Sequence, residues 1–209
     1  MRSILALALV ASLAACGRSE TRSETTMPQT PQHSPEALSL ARITPREPGA
    51  VLELLSTAIE TDGAIEPRYT AYGAGVSPPL RWTPVQGAGS YAIIVEDPDA
   101  PMERPFVHWL IWNIPGGLSA LPEGIPNNQR PVTPQGAVQA KNDNGSFGYY
   151  GPHPPAGTGA HRYHIQIFAL DGPLALHDDA DIRALVDAMK GRVLADSELI
   201  GTSAAPAQQ

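Results

Sequence analysis

The sequence predicts a mainly β domain with one C-terminal helix and long proline-rich loops. Three stretches, at 91–96, 106–114 and 161–170, are rich in β-branched and aromatic residues and alternate between two faces, which is typical of strands. One later stretch has the i, i+3, i+4, i+7 apolar spacing of an amphipathic helix. The chain contains 22 prolines and 19 glycines, and their clusters between these segments predict turns and loops. With 209 residues, it is long enough for one sizeable core.

The N-terminus has the pattern of a lipoprotein signal peptide. Arg2 precedes an apolar run at 4–11 that is too short to span a membrane, and small residues precede Cys16, the single cysteine of the chain. We therefore predict a signal peptide over 1–15 and acylation of Cys16 as the mature N-terminus. An ordinary secretory signal with an incidental cysteine is the alternative. A lone lipidated cysteine leaves no intrachain disulfide.

Residues 16–50 are polar and proline-rich and show little periodicity. This composition predicts a flexible, lipidated tether that precedes a folded domain over 51–203, with a disordered tail over 204–209. Membrane association would then occur through the N-terminal lipid. Gly17 is not the aspartate that retains lipoproteins at the inner membrane, so we expect the bacterial outer membrane, with the domain facing the periplasm.

The charge balance argues against a nucleic-acid partner. The chain has 14 Lys and Arg residues against 21 Asp and Glu residues, and a formal net charge of −7. Removal of residues 1–15 deletes one positive charge, Arg2, and no negative charge, so −7 becomes −8. An anionic ligand would therefore need a local pocket, because the protein as a whole repels it.

The first half of the domain alternates short strands with stiff turns. A first strand is predicted at 51–55, and two adjacent prolines at 78–79 predict a rigid crossing into a short strand at 80–82. The strand at 91–96 places Asp97 at its end, on the same side as its alternate apolar neighbours. Those neighbours are Tyr91, Ile93 and Val95.

Alternation divides the next two strong strands into faces. In the strand at 106–114, one face is predicted to carry Phe106, His108, Leu110, Trp112 and Ile114, and the other Val107, Trp109, Ile111 and Asn113. In the strand at 161–170, one face is predicted to carry His161, Tyr163, Ile165 and Ile167, and the other Arg162, His164, Gln166 and Phe168. The three tryptophans Trp82, Trp109 and Trp112 are predicted to be core residues.

A long loop and a helix complete the domain. Residues 118–148 contain four prolines and many polar residues, which predicts a functional or partly mobile loop. The helix is predicted to be capped by Asp178 or Asp179 and to end before Gly191. Its apolar stripe consists of Ile182, Leu185, Val186 and Met189. A last strand is predicted at 199–202.

Each of the three strong strands carries an ionisable group to, or near, a strand end beside a proline turn. These groups are Asp97, His108 and His161, and Tyr163 could share a wall with them. Histidine donates hydrogen bonds to phosphate or carboxylate, and Asp97 would orient a histidine or bind a ligand ammonium. The sequence therefore predicts a pocket for a small anion such as phosphate or a phosphoethanolamine-type headgroup.

Several motifs, in order along the chain, closely resemble those of the phosphatidylethanolamine-binding protein family, also called Raf kinase inhibitor-like proteins, and particularly its bacterial YbhB/YbcL branch. They are the Ser-Pro-Pro-Leu-Arg-Trp segment at 77–82, Asp-Pro-Asp-Ala-Pro at 97–101, Val-His-Trp at 107–109, Gly-Tyr-Tyr-Gly-Pro-His-Pro-Pro at 148–155 and Gly-Ala-His-Arg-Tyr at 159–163. The resemblance covers about residues 52–203. It implies an antiparallel β-sandwich with a helical C-terminal part and no cofactor.

The resemblance also implies which residues form the anion pocket: Asp97, Asp99, His108, Tyr150, Gly151, Pro154, His161 and Tyr163. To these we add His153, which stands where relatives often have a small residue or cysteine, so a third histidine could change the shape or the pH response of the pocket. Asp99 has an alternative role, in which it caps its turn or pairs with Arg162.

Three other functions were weighed against anion binding. A metal could be held by His108, His153 and His161 together with Asp97. His161 and His164 alternate faces, however, so their spacing is not that of a chelate, and we expect no metal. A hydrolase could use a histidine–aspartate pair, but no serine lies in a nucleophile elbow, and we expect no enzyme. An interaction protein could inhibit an envelope protease or another, unknown partner through the 118–148 loop.

Overall fold

The computed structural model describes residues 38–46 and 49–207. The predicted signal peptide, Cys16 and the first part of the predicted tether lie outside the described residues. Within the described ranges, no helix has both the length and the apolar character needed to cross a bilayer.

Two antiparallel sheets form the domain and confirm the predicted mainly β fold. The larger sheet has the order β6-β4-β3-β7-β8. Its strands are β3 (Ser90–Asp97), β4 (Phe106–Pro115), β6 (Val138–Gln139), β7 (Ala160–Leu170) and β8 (Val193–Ala204). The smaller sheet has the order β1-β2-β5. Its strands are β1 (Leu54–Leu55), β2 (Leu80–Trp82) and β5 (Ala120–Leu121).

Apolar side chains fill the space on both sides of the larger sheet. On one side, Leu80 and Trp82 of the smaller sheet pack against Ile93, Trp109 and other residues of the central strands, which makes the β-sandwich. On the other side, the helix α1 (Ile182–Met189) packs its apolar stripe against the sheet. Trp82, Trp109 and Trp112 are all buried, as predicted. Each large side chain buried in this way stabilises the fold by roughly 1.5–3 kcal/mol.

The helix begins later than its acidic flank suggests. Asp181, and not Asp178 or Asp179, is the N-cap, and its side chain accepts a hydrogen bond from Ala184 N at 2.9 Å. Asp178 is engaged elsewhere, because it forms an ion pair with Arg130. The cap prediction was therefore wrong, since three neighbouring aspartates offer the same signal and tertiary contacts choose among them.

Two irregularities interrupt the alternation of β4, so the predicted faces were right for the middle of the strand and wrong for Val107 and Ile114. Val95 pairs with Trp109 and Glu96 pairs with Val107, so His108 is one extra residue in β4, a β-bulge. A second register shift lies near Asn113, which has a left-handed backbone with φ of 56°. As a result, Ile114 packs between the sheets together with Trp109. Val107 packs on the helix side together with Leu110 and Trp112.

Residues 38–46, which we call the N-terminal strap, pack onto the larger sheet on the helix side. Leu38 and Ile43 are buried, and Ser39 N donates to Glu96 Oε2 at 2.8 Å. Leu40 N donates to Gln166 Oε1 at 2.6 Å. The ordered domain therefore starts before residue 51, in contrast to the tether boundary expected from composition. At the other end, β8 extends well beyond the predicted strand at 199–202 and includes Ala204.

Candidate functional site

A cavity of about 280 Å³ opens at the edge of the larger sheet where β3 ends and where β4 and β7 begin. Antiparallel pairing of β3 with both neighbours places these three strand termini side by side. The cavity brings together five of the predicted site residues: Asp97, His108, Tyr150, His153 and His161. The remaining lining residues are Ala100, Pro101, Met102, Phe106, Asn144 and Pro155.

Asp97 and His161 form a buried pair at the floor of the cavity. His161 Nδ1 lies 2.8 Å from Asp97 Oδ2, and the side chains are 2% and 5% exposed. The second carboxylate oxygen, Oδ1, accepts a hydrogen bond from Asp99 N at 2.8 Å. Asp97 thus orients a histidine, which is one of the two roles predicted for it. Both of its oxygens are already hydrogen-bonded.

The other nitrogen of His161 is also occupied. Nε2 lies 2.9 Å from the hydroxyl of Thr158, and that hydroxyl donates to Pro155 O at 2.8 Å. Because the hydroxyl has one proton, its oxygen accepts from Nε2 while it donates to Pro155. Both ring nitrogens of His161 then act as donors, which is the hydrogen-bond pattern of an imidazolium. Beside the Asp97 carboxylate, this cation leaves the pair without net charge.

His108 has the opposite character. Its Nδ1 lies 2.8 Å from Tyr150 O, so Nδ1 carries the proton and donates it to that carbonyl. Burial lowers the pKa of His108 to about 4, and the cation of His161 lowers it further, while the Tyr150 carbonyl and the carboxylates of Asp97 and Asp143 oppose the shift. His108 is therefore neutral at physiological pH, and its unprotonated Nε2 is an acceptor.

Aromatic rings hold His108 in place. The Tyr150 ring stacks on the imidazole at 5.6 Å and the Phe106 ring lies at 4.8 Å, whereas Tyr163 meets it edge-on at 5.1 Å. The Tyr150 hydroxyl lies 2.7 Å from His153 Nδ1 at the exposed rim. Most of the cavity wall is thus apolar or aromatic, with ionisable groups on the floor and the Tyr150–His153 contact at the rim.

Three predicted site residues support the cavity from behind and are not among its lining residues. Tyr163 is buried beneath His108, and its hydroxyl has no hydrogen-bond partner among the described residues. Gly151 packs so closely on the 69–71 backbone that a Cβ would lie 2.6 Å from Ala71 N. The Pro154 carbonyl accepts a hydrogen bond from Tyr72 at 2.5 Å.

Asp99 also lies outside the cavity lining, where it forms a structural ion pair. Its carboxylate accepts from Arg162 Nη2 at 2.7 Å, from Nε at 2.8 Å and from the backbone N at 2.9 Å. The side-chain hydrogen bonds from Arg162 hold the pKa of Asp99 below its usual range against the opposing effect of burial. This is the alternative role considered for Asp99, and Arg162 braces the turn that carries Asp97.

Sequence reasoning missed several residues of the site. Ala100, Pro101 and Pro155 lie inside the family motifs named above. Their position beside predicted ligand groups could have indicated that they line the cavity. Thr158 lies between two glycines, and this pattern indicates a loop but no contact with His161. Asn144 comes from the 118–148 loop, and no pattern in the sequence indicates that it reaches the cavity.

Comparisons with known proteins agree with this architecture. The sequence profile of the phosphatidylethanolamine-binding protein family matches residues 55–204. A UPF0098 protein of Methanothermobacter thermautotrophicus is 43% identical over 151 residues, which cover 72% of this chain and 97% of the relative. A Mycobacterium tuberculosis protein with the name lipoprotein LppC is 32% identical over 196 residues, covering 94% of this chain and 92% of the relative.

Crystal structures show the same fold. A phosphatidylethanolamine-binding protein homologue from Chlamydia trachomatis superposes with a TM-score of 0.65 at 34% identity and covers 76% of this chain and 100% of its own. Escherichia coli YbcL, described as a member of the mammalian family, superposes with a TM-score of 0.66 at 27% identity and covers 72% and 96%. From the profile match, the relatives and the shared fold, the chain belongs to the phosphatidylethanolamine-binding protein family.

Proposed function

We propose that this chain is a binding protein whose cavity takes a small phosphate-bearing anion, either free phosphate or the headgroup of a phospholipid. The observation that carries the proposal is the charge-balanced Asp97–His161 pair next to His108 on the floor of a solvent-open cavity. A few buried polar groups beneath apolar walls favour the binding of one small polar ligand in a fixed orientation.

The walls suit a ligand that carries a cation as well as phosphate. Both oxygens of Asp97 are hydrogen-bonded, so they offer little to an added ammonium. The aromatic faces of Phe106 and Tyr150 would instead receive it, since a desolvated cation over an aromatic ring is stabilised by ~2 kcal/mol. Phosphoethanolamine has both charges and is the probe that this reasoning selects.

We also propose that the protein binds its ligand without turning it over. The groups that a hydrolase would need as a base are already occupied or weakly basic. Asp97 and His161 are hydrogen-bonded at both of their polar atoms. A pKa of about 4 makes His108 a poor general base near neutral pH.

Titration of phosphoethanolamine into the intact protein in a nonionic detergent, followed by calorimetry, tests the binding function. We expect saturable binding that falls by at least about tenfold in two variants. His108→Ala loses a side chain that lines the cavity floor, and His161→Ala leaves the buried Asp97 carboxylate without its partner beside the bound anion. His177→Ala, an exposed histidine outside the cavity lining, is the matched control and should bind like the wild type. Absence of saturable binding, or equal binding by all variants, would reject the proposal.

We further propose that Cys16 is lipidated and anchors the protein in the bacterial cell envelope, at the outer membrane on its periplasmic side. Similarity to a mycobacterial relative that is named as a lipoprotein, over 94% of this chain, supports the anchor. In fractionated cells, the wild type should sediment with the membranes, and Cys16→Ser should be soluble or retain an uncleaved signal peptide. Unchanged sedimentation of a processed Cys16→Ser protein would contradict the anchor.

A further inference from the structure

A groove of about 520 Å³ lies at one end of the smaller sheet and shares no lining residue with the cavity above Asp97 and His161. Its lining consists of residues 55–57 around the end of β1, 79–81 around the start of β2, and 120–122 in and after β5. We propose that this groove, which we call the Arg81 groove, binds the C-terminal carboxylate of an extended peptide that ends in an apolar residue. The peptide is the C-terminus of a partner protein, and the site is separate from that of the proposed function.

Arg81 gives the groove its charge. Its side chain is exposed and, among the described residues, is the one charged group in the lining. It forms no ion pair within the part of the chain that the structure describes, in contrast to Arg68, Arg104 and Arg162. A guanidinium binds a carboxylate through two parallel N–H bonds, so a single carboxylate is the charged group that fits this position.

The acids nearest to the groove along the chain leave Arg81 available. Glu53 and Glu123 flank the lining segments but do not belong to the lining. The Glu123 carboxylate accepts hydrogen bonds from Arg68 at 2.9 and 3.1 Å. Glu53 is exposed and forms no ion pair with any described residue. The groove is therefore a local positive site on a protein with a formal net charge of −7, and its recognition of an anion depends on short-range contacts.

Most of the remaining lining is apolar. Leu55 is 44% exposed, and Pro79 and Pro122 give the groove stiff walls. The Ser56 hydroxyl is engaged within the fold, because it donates to Pro79 O at 2.6 Å and accepts from a backbone N–H at 3.1 Å. Thr57 adds one exposed, neutral hydroxyl. An apolar surface beside one cation fits a ligand that joins an apolar side chain to a carboxylate.

The backbone at Ala120 distinguishes a peptide from other apolar carboxylates. Trp82 N donates to Ser119 O at 2.9 Å on the β5 side, and the next backbone N donates to Glu53 O at 3.0 Å on the β1 side. Because these directions alternate along a strand, the N–H and C=O of Arg81 face β1, and Ala120, which lies opposite Arg81, turns its own N–H and C=O away from β2. Within the described residues β5 is an edge of the sheet, and no backbone group pairs with this side of Ala120. A peptide strand can pair there, whereas a fatty acid has no amide groups to do so.

Calorimetric titration of the peptide Ac-Ala-Ser-Ala-Leu, with a free C-terminal carboxylate, into the intact protein in nonionic detergent tests the inference. We expect saturable binding below about 1 mM. The same peptide with a C-terminal amide keeps the leucine and lacks the charge, so it should bind at least about tenfold more weakly. Replacement of the last leucine by serine should also weaken binding by about tenfold, because the apolar contact is lost.

Two variants of the groove and one control variant locate the peptide. Arg81→Gln should bind the free peptide at least about tenfold more weakly and should no longer distinguish it from the amide. Ala120→Pro removes the outward N–H of an edge strand, where proline is tolerated, and should weaken binding by roughly threefold to tenfold while the distinction remains. Arg183→Gln is the matched control, because Arg183 is also exposed and has no ion pair with a described residue, and it should bind like the wild type.

Equal affinities for the free peptide and its amide, or unchanged binding by Arg81→Gln, would overturn the inference. Absence of saturable binding up to about 1 mM would do so as well. Octanoate is the probe for a fatty acid, which shares the carboxylate and the apolar body. If octanoate bound more tightly than the peptide, and Ala120→Pro had no effect on peptide binding, the groove would be a fatty-acid site and the peptide assignment would be wrong.

Competition with phosphoethanolamine separates this inference from the proposed function. Saturating phosphoethanolamine should leave the affinity for the peptide unchanged, because the groove and the cavity share no lining residue. Displacement of the peptide by phosphoethanolamine would place the peptide in the cavity and contradict the Arg81 groove. Failure of phosphoethanolamine to bind would reject the proposed function and leave the peptide site standing.

Discussion

His108 is the residue on which the chemistry of the cavity depends. It is almost completely buried, its one proton is committed to the Tyr150 carbonyl, and its pKa is lowered to about 4 because the charged ring is poorly solvated there. A bulge in β4 turns the side chain toward the cavity. This burial also makes the stability of the folded protein depend on pH.

The pH dependence can be measured as a change in the free energy of unfolding. The unfolded chain binds a proton at His108 near its ordinary pKa of 6.5, whereas the folded protein does so only near 4. Between these values the unfolded state holds more protons, so the free energy of unfolding falls as the pH falls. His108 should contribute a loss on the order of 3 kcal/mol between about pH 6.5 and pH 4.

The His108→Asn variant lacks the titrating ring and can still donate to Tyr150 O, so its unfolding free energy should fall less steeply. Urea unfolding of both proteins at several pH values from about 7 to 4.5 measures the difference between the two slopes. Parallel curves would show that His108 titrates equally in both states and would contradict the account of the buried ring.

At the scale of elements, the larger sheet separates the cavity from the contacts of the N-terminal strap. One face carries Asp97 and His161 at the cavity, and the other carries Glu96 and Gln166 beneath the N-terminal strap. The strap satisfies the buried Glu96 carboxylate, which also accepts from Gln166 Nε2 at 2.8 Å. Because an unsatisfied buried carboxylate is costly, the strap belongs to the fold and is more than a spacer.

The strap makes a prediction at one buried side chain. Ile43 packs with Ala92 and Ile94 of the sheet and with residues of the helix side, so Ile43→Ala should lower the free energy of unfolding by about 2 kcal/mol. The neighbouring Thr44 is exposed, and Thr44→Ala should have almost no effect. Urea unfolding of the two variants at neutral pH compares them, and equal stabilities would show that the strap does not contribute to the fold.

The regular elements could be predicted from the sequence, and the irregular ones could not. Strict alternation in β7 correctly placed His161 and Tyr163 on the same face as Ile165. In β4, two register shifts have no signal in residue type, so alternation misplaced Val107 and Ile114, although His108 still lines the cavity. The strap offers only scattered apolar residues without a period, and its contacts with Glu96 and Gln166 join residues 57 and 126 positions apart.

The candidate site, too, could be predicted from the sequence only in part. Which ionisable groups meet could be predicted, because antiparallel neighbours carry Asp97 and His161 to one edge. The direction of each hydrogen bond could not be predicted, since it depends on the Tyr150 carbonyl and on the Thr158 hydroxyl. The expectation that histidines donate to the anion therefore does not fit the described geometry, in which His161 is occupied and His108 accepts.

At the scale of the whole molecule, an acidic protein holds a locally neutral site. The formal net charge of −7 repels anions in general, while the Asp97–His161 pair and the neutral His108 add no net charge to the floor. In the proposed function, selection of a phosphate-bearing ligand depends on short-range hydrogen bonds and on shape, and long-range electrostatic attraction should contribute little to it. A lipid anchor would supply local concentration near a membrane, which the charge of the protein does not.

A crystal structure of the protein with phosphoethanolamine bound tests the central claim most directly. The account predicts that the phosphate lies in the cavity above Asp97 and His161, with one oxygen within hydrogen-bond distance of His108 Nε2. A phosphate bound elsewhere on the molecule, or an empty cavity at saturating ligand, would contradict it.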